Sequence, residues 1–172
     1  PGEWCIDFKR QKMYILPPKD ASSQEIKICC KYTPLVNMSR VNNFTVSGIV
    51  FDKSAQNGLV MQGGNQNQVT GCTFKNLGGT AIILDGGLEH QIKSNDFYAL
   101  GKEGVSAMGG DRKTLTPCNF LIENNYFHNY GLIKDSWAAA VRLGRYEATG
   151  SDKAGEDAVG ITVRHNLVHD AP

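Results

Sequence analysis

Between Val41 and Gly110 one unit is written three times, and a chain that repeats itself every 23 residues has few folds open to it. Aligning FTVSGIVFDKS, NQVTGCTFKNL and HQIKSNDFYAL superposes Val46, Val69 and Ile92, and likewise Phe51, Phe74 and Phe97, at that interval. The second halves align without a gap. Gly58-Leu-Val-Met-Gln-Gly-Gly, Ala81-Ile-Ile-Leu-Asp-Gly-Gly and Gly104-Val-Ser-Ala-Met-Gly-Gly alternate inward apolar residues (Leu59/Met61, Ile82/Leu84, Val105/Ala107) with outward ones and end at a Gly-Gly turn. Two short strands in 23 residues are too little to close a propeller blade or a sandwich layer, but they fit one coil of a parallel β-solenoid.

A fourth and a fifth coil follow, because Ile122-Glu-Asn-Asn-Tyr-Phe and Val163-Arg-His-Asn-Leu-Val match the first strand of the unit. The interval stretches to 30 and then to 41 residues, so the excess must leave the coil as loops, expected at 111–119 and 145–160. Insertions of this kind collect on one face of a solenoid, often the binding face. Three residues beyond each leading valine or isoleucine stand Ile49, Cys72, Asn95, Asn125 and Asn166, so three successive coils put an asparagine at one inward bend. Stacked there, their amides can hydrogen-bond to one another and to the bend backbone.

Composition agrees. A hydrophobic content of 41% supplies a core, while 19 glycines and a mean hydropathy of −0.31 suit a turn-rich β protein and no helix of useful length is legible. The net charge of +1 is dispersed, which argues against a nucleic-acid footprint, and no stretch is long or apolar enough to span a bilayer. Of the five cysteines, Cys72 occupies the bend column and is expected to be buried; Cys29 and Cys30 point to opposite sides of a strand, and pairing of either with Cys5 stays open. Residues 1–20 alternate as two strands around Lys9-Arg10-Gln11-Lys12, a hairpin whose Trp4 and Tyr14 are expected to pack onto the main body, with the coils filling 21–172. The chain starts at Pro1 without an initiator Met and stops beside a fifth-coil strand, so a segment of a longer protein is expected.

The opening Gly2-Glu-Trp-Cys-Ile-Asp with Tyr14-Ile-Leu-Pro-Pro, the run Gly109-Gly-Asp-Arg-Lys-Thr-Leu-Thr-Pro, and the ending Arg164-His-Asn-Leu-Val-His-Asp-Ala-Pro carry a resemblance to a known group. They resemble bacterial right-handed parallel β-helix proteins of carbohydrate breakdown, pectate-lyase-like in fold, and most of all glycoside hydrolase family 141, described as fucosidases and xylanases. The resemblance implies an all-β right-handed parallel β-helix, a polysaccharide or oligosaccharide substrate, and a secreted, periplasmic or cell-surface location. It departs from this chain around Ser136-Trp-Ala and in 145–160.

Glycoside hydrolysis needs one protonated and one ionised carboxyl group. Asp111, after the third Gly-Gly turn, and Asp170, after the fifth coil's first strand, both lie where strands meet loops and are the expected pair; each can equally cap its own turn. Asp85, at the outward end of the second coil's second strand, is the third acidic candidate. Arg112, Lys113 and Arg142 can hold a hydroxyl or a uronate. His128 and His169 share one outward column with Tyr98 and Lys75, about 5 Å apart on adjacent coils. Without a third ligand they imply no metal, and Asp152, Glu156 and Asp157 do not spell a calcium loop. The runner-up is a polysaccharide lyase, in which Arg112, Lys113 or a histidine takes the proton beside a uronate carboxyl, commonly with calcium; a non-catalytic carbohydrate-binding solenoid is the third reading. No other cofactor is implied.

Overall fold

The computed structural model describes residues 3–17, 27–30, 32–134, 136, 138–144 and 158–171. The chain opens with an antiparallel hairpin, β1 (Trp4–Asp7) and β2 (Lys12–Ile15), in register Cys5 to Tyr14. Trp4 and Tyr14, expected to be packed away, are both exposed. β3 (Val36–Ser39) leads into the coils. The first is β4 (Thr45–Ser47), β5 (Val50–Ser54) and β6 (Leu59–Gln62), and the second β7 (Gln68–Thr70), β8 (Thr73–Leu77) and β9 (Ile82–Asp85). The third is β10 (Gln91–Lys93), β11 (Asp96–Leu100) and β12 (Val105–Met108), and the fourth β13 (Phe120–Glu123), β14 (Tyr126–His128) and β15 (Val141–Leu143). β16 (Ile161–Arg164) and β17 (Leu167–His169) belong to the fifth.

Each full coil thus holds three strands where the sequence pattern suggested two, and like strands stack in parallel into three sheets. The first sheet is β4-β7-β10-β13-β16, the second β5-β8-β11-β14-β17 and the third β3-β6-β9-β12-β15. The extra break falls at a bend occupied by Gly48, Gly71, Ser94, Asn124 and His165, all with φ between 54° and 68°. One left-handed residue turns the chain without consuming a loop, so the alternation of inward and outward residues runs almost unbroken across it.

The windings lie directly over one another. Val46, Val69, Ile92, Ile122 and Val163 form one ladder in the first sheet, and Phe51, Phe74, Phe97, Phe127 and Val168 another in the second. Their inner faces make the core, where the rings of Phe51, Phe74, Phe97 and Phe127 stack with centroids 4.4, 5.1 and 4.6 Å apart. Each such side chain contributes about 1.5–3 kcal/mol on burial, against which a buried polar group must be hydrogen-bonded to be tolerated. The asparagine column meets that condition: Asn125 Oδ1 accepts from the backbone and side-chain nitrogens of Asn95, both at 3.0 Å, and Asn166 Oδ1 does the same for Asn125 at 2.9 and 3.0 Å. Cys72 lies buried in the same column, and all five cysteines are free thiols. None pairs with Cys5.

Candidate active face

The register locates the insertions. Phe97 pairs with Phe127 at an interval of 30, but Val105 pairs with Val141 at 36, so six residues of the fourth coil are added between its second and third strands. The sequence pattern places the whole excess of this coil at 145–160, because the first-strand spacing reports only the coil's total length; the register puts six of its residues within 129–140. Segment 145–157 and its acidic residues Asp152, Glu156 and Asp157 lie outside the described residues. Residues 131–134 of the 129–140 addition fold back on the coil below, with Gly131 N–H donating to Lys102 O at 3.0 Å and Leu132 N–H to Leu100 O at 3.0 Å. At the opposite corner, the 111–119 loop closes on a bridge between Asp111 and Thr116. Loops therefore leave the coil at both edges of the third sheet.

All eight residues singled out from sequence fall on this sheet or its two corners. Asp85 and Arg142 project outward from the third sheet, and Asp111, Arg112 and Lys113 form the turn at the trailing corner. His128, His169 and Asp170 stand at the leading corner, where the second sheet ends. The structure does not bring Asp111 and Asp170 together. A strand's length separates them, roughly 13 Å along the sheet, and two coils add about 10 Å along the axis. A hydrolytic carboxyl pair stands about 5–9.5 Å apart. Asp111 instead caps its own turn: Oδ1 accepts the backbone N–H of Lys113 at 2.8 Å and of Thr114 at 3.4 Å. The hydrogen bond from Lys113 is the main reason its carboxyl is held below the usual carboxylate range.

The leading corner is the denser constellation. Lys75, Tyr98, His128 and His169 form the outward column expected for them. Tyr98 stacks on His128 at 5.0 Å, His128 on His169 at 5.5 Å, and Lys75 Nζ lies 6.0 Å from the Tyr98 centroid. Tyr126, one outward position earlier in β14, packs against both imidazoles with centroids 4.6 and 5.1 Å away. Because the column's rings cover one another's faces, they present edges to the outside. Such a surface is suited to hydrogen-bonding hydroxyl groups and moving protons rather than to stacking on a sugar ring. His128 Nε2 is 3.5 Å from Asp96 Oδ1, and His169 Nδ1 is 2.9 Å from Asp170 Oδ2. Among the described residues, no three His, Cys, Asp or Glu side chains gather closely enough to hold a metal ion.

A family model described as a right-handed beta helix region matches residues 57–171. The chain belongs to the right-handed β-helix family. No curated protein and no solved structure is similar enough to match it.

In this β-helix two site residues escaped the sequence reading, Tyr126 and Glu103. Glu103, at the leading corner below the 129–140 segment, is 3% exposed, and its Oε2 accepts from Thr80 Oγ1 at 2.6 Å. Its Oε1 lies 3.3 Å from Arg142 Nε, while Arg142 Nη2 donates to Ser106 Oγ at 2.8 Å. Arg142 is thus a fixed fork on the outer face of the third sheet, tied to a buried carboxylate. The clue to Glu103 was the column Asn57, Thr80, Glu103, polar in three successive coils just before an apolar strand.

Proposed function

We propose that this β-helix binds and cleaves a polysaccharide or oligosaccharide lying along the third sheet and its leading corner. The observation that carries the reading is convergence: loops leave the coil at both edges of one face, and the imidazole, phenol, carboxylate and guanidinium groups suited to sugar chemistry project from that face and its corners. Asp85, Arg112, Lys113 and Arg142 contact substrate hydroxyl or carboxyl groups, and the chemistry belongs to the corner of Tyr126, His128, His169 and Asp170. Hydrolysis by Asp111 and Asp170 as a pair is the less favoured route, given their separation. The substrate is a plant or microbial glycan met outside the cytoplasm, in a secreted, periplasmic or cell-surface setting, with calcium needed only if the glycan carries uronates.

The test is a panel of fucosylated, xylan-type and uronate-containing glycans incubated with the protein. Binding is measured by calorimetry, and products by chromatography and ultraviolet absorbance. Depolymerisation of at least one member is expected. Binding without any product would reduce the protein to a carbohydrate-binding solenoid, and absence of both would end the reading.

A further inference from the structure

Glu103 and Arg142 are a charged pair that the coil does not demand. At the corner, the coils below carry Asn57 and Thr80 in place of Glu103. On the sheet, Arg142 stands above Ser106, Ile83, Val60 and Asn37, none of them charged. Buried ion pairs are no more stabilising than well-packed uncharged residues, so stability does not account for these two. Arg142 keeps donors to offer. Its Nη2 donates to Ser106 Oγ at 2.8 Å, its Nη1 to Gly144 O at 3.5 Å, and its Nε faces Glu103 Oε1 at 3.3 Å. A guanidinium has five N–H groups, so among the described residues one on each terminal nitrogen is left unclaimed, and the side chain is 25% exposed.

Two such donors suit a pair of adjacent sugar hydroxyls or the two oxygens of a carboxylate, and charge decides between them. Glu103 is 3% exposed, so little solvent screens its carboxylate, which sets almost a full negative charge against the guanidinium. Among the other outward residues of the third sheet Asp85 alone is charged, and it is negative too. Arg40, Arg112 and Lys113 stand at the trailing corner and Lys102 at the leading one, all exposed and screened by salt. We infer that Glu103 is a specificity-determining residue. By cancelling the charge of Arg142 it leaves that guanidinium a donor to the hydroxyls of uncharged sugars, and it leaves a sugar carboxylate nothing to offset the loss of its water. This rests on the glycan reading above and narrows it to sugars that meet the third sheet without a charge.

The experiment uses the whole chain and sets the neutral members of the glycan panel against uronate-bearing ones of equal length, by calorimetry at low and at physiological salt. The wild type should prefer the neutral sugars by about tenfold. Glu103→Gln, its fold checked by circular dichroism, frees the charge of Arg142. The ratio of uronate to neutral affinity should then rise by about tenfold or more at low salt and fall back as salt is added. A general loosening of the structure would weaken both sugars together and leave the ratio in place. Adding Arg142→Gln to Glu103→Gln should abolish the gain, since Glu103 acts through that side chain. A ratio unmoved by Glu103→Gln, or a gain that persists without Arg142, overturns the assignment. So does a wild type that prefers uronates, a result that needs no variant to fold. Failure of the wild type to bind any glycan of the panel would instead remove the underlying reading.

Discussion

At the scale of single residues the asparagine column was legible in advance, since three identical side chains at one bend announce a ladder. Asn125 carries two roles in it, accepting from Asn95 and donating to Ile92 O at 2.9 Å. Truncation as Asn125→Ala strands a buried N–H and a buried carbonyl, and should cost about 3 kcal/mol in urea unfolding. Cys72 fills the same place one coil earlier with a weaker contact, its Sγ 3.7 Å from Val46 O. Cys72→Asn should therefore extend the ladder and gain about 1 kcal/mol by the same measurement. The companion column at another corner was illegible because its residue types change. There Asn67 Oδ1 accepts from Phe44 N at 3.0 Å, and His90 repeats the role with Nδ1, 3.3 Å from Asn67 N. His90 is fully buried, its Nε2 is 3.2 Å from Gly63 O, and burial pushes its pKa below the ordinary imidazole value of 6.5. The unfolded chain then binds the proton more readily than the folded one. Stability from neutral His90 is fully present above pH 6.5 and declines as pH falls through that value toward the lowered one. Urea midpoints from pH 7.5 to 5 should show this decline, and His90→Asn should flatten it.

At the scale of strands and turns, the repeat revealed the stacking but miscounted the strands. A bend made by one left-handed residue leaves no gap in the apolar pattern, so β4 and β5 read as one element. The Gly-Gly turns were visible, but what they must avoid was not. A Cβ on Gly64, at φ 78°, would sit 1.9 Å from the backbone oxygen of Val41 in the coil below, while one on Gly48, at φ 68°, meets nothing within 4 Å. Gly64→Ala should destabilise the fold by roughly 3 kcal/mol, combining overpacking with backbone strain. Gly48→Asn should cost less than about 1 kcal/mol, because asparagine tolerates that conformation and Asn124 already adopts it. Thermal melts of the two variants would separate crowding from strain; equal losses would show that crowding is irrelevant. The 129–140 addition was missed for a different reason. Its strand Val141–Leu143 is too short to register against the unit without knowing what it pairs with.

Across the whole molecule the file of phenylalanine rings is the axis on which the coils are threaded. Phe97 sits between Phe74 and Phe127 and is fully buried. Phe97→Ala should cost about 3–5 kcal/mol. In a solenoid each coil touches only its neighbours, so amide exchange should quicken in the second to fourth coils first. Uniform loss of protection along the chain would contradict that locality. The site residues were legible as a set of candidates and not as a geometry: Asp111 and Asp170 looked alike in sequence because each follows a strand. Only the three-cornered cross-section reveals that those strands end at different vertices.

That cross-section also sets how such a protein can change. A residue added to the loop between the second and third strands of the fourth coil changes that corner and leaves the ring file in place, at a loop-closure cost that grows slowly with length. The same residue added inside a strand would turn every following side chain over and bring phenylalanine to the outside. New specificities should therefore accumulate at the vertices, while the three flat sides stay nearly constant.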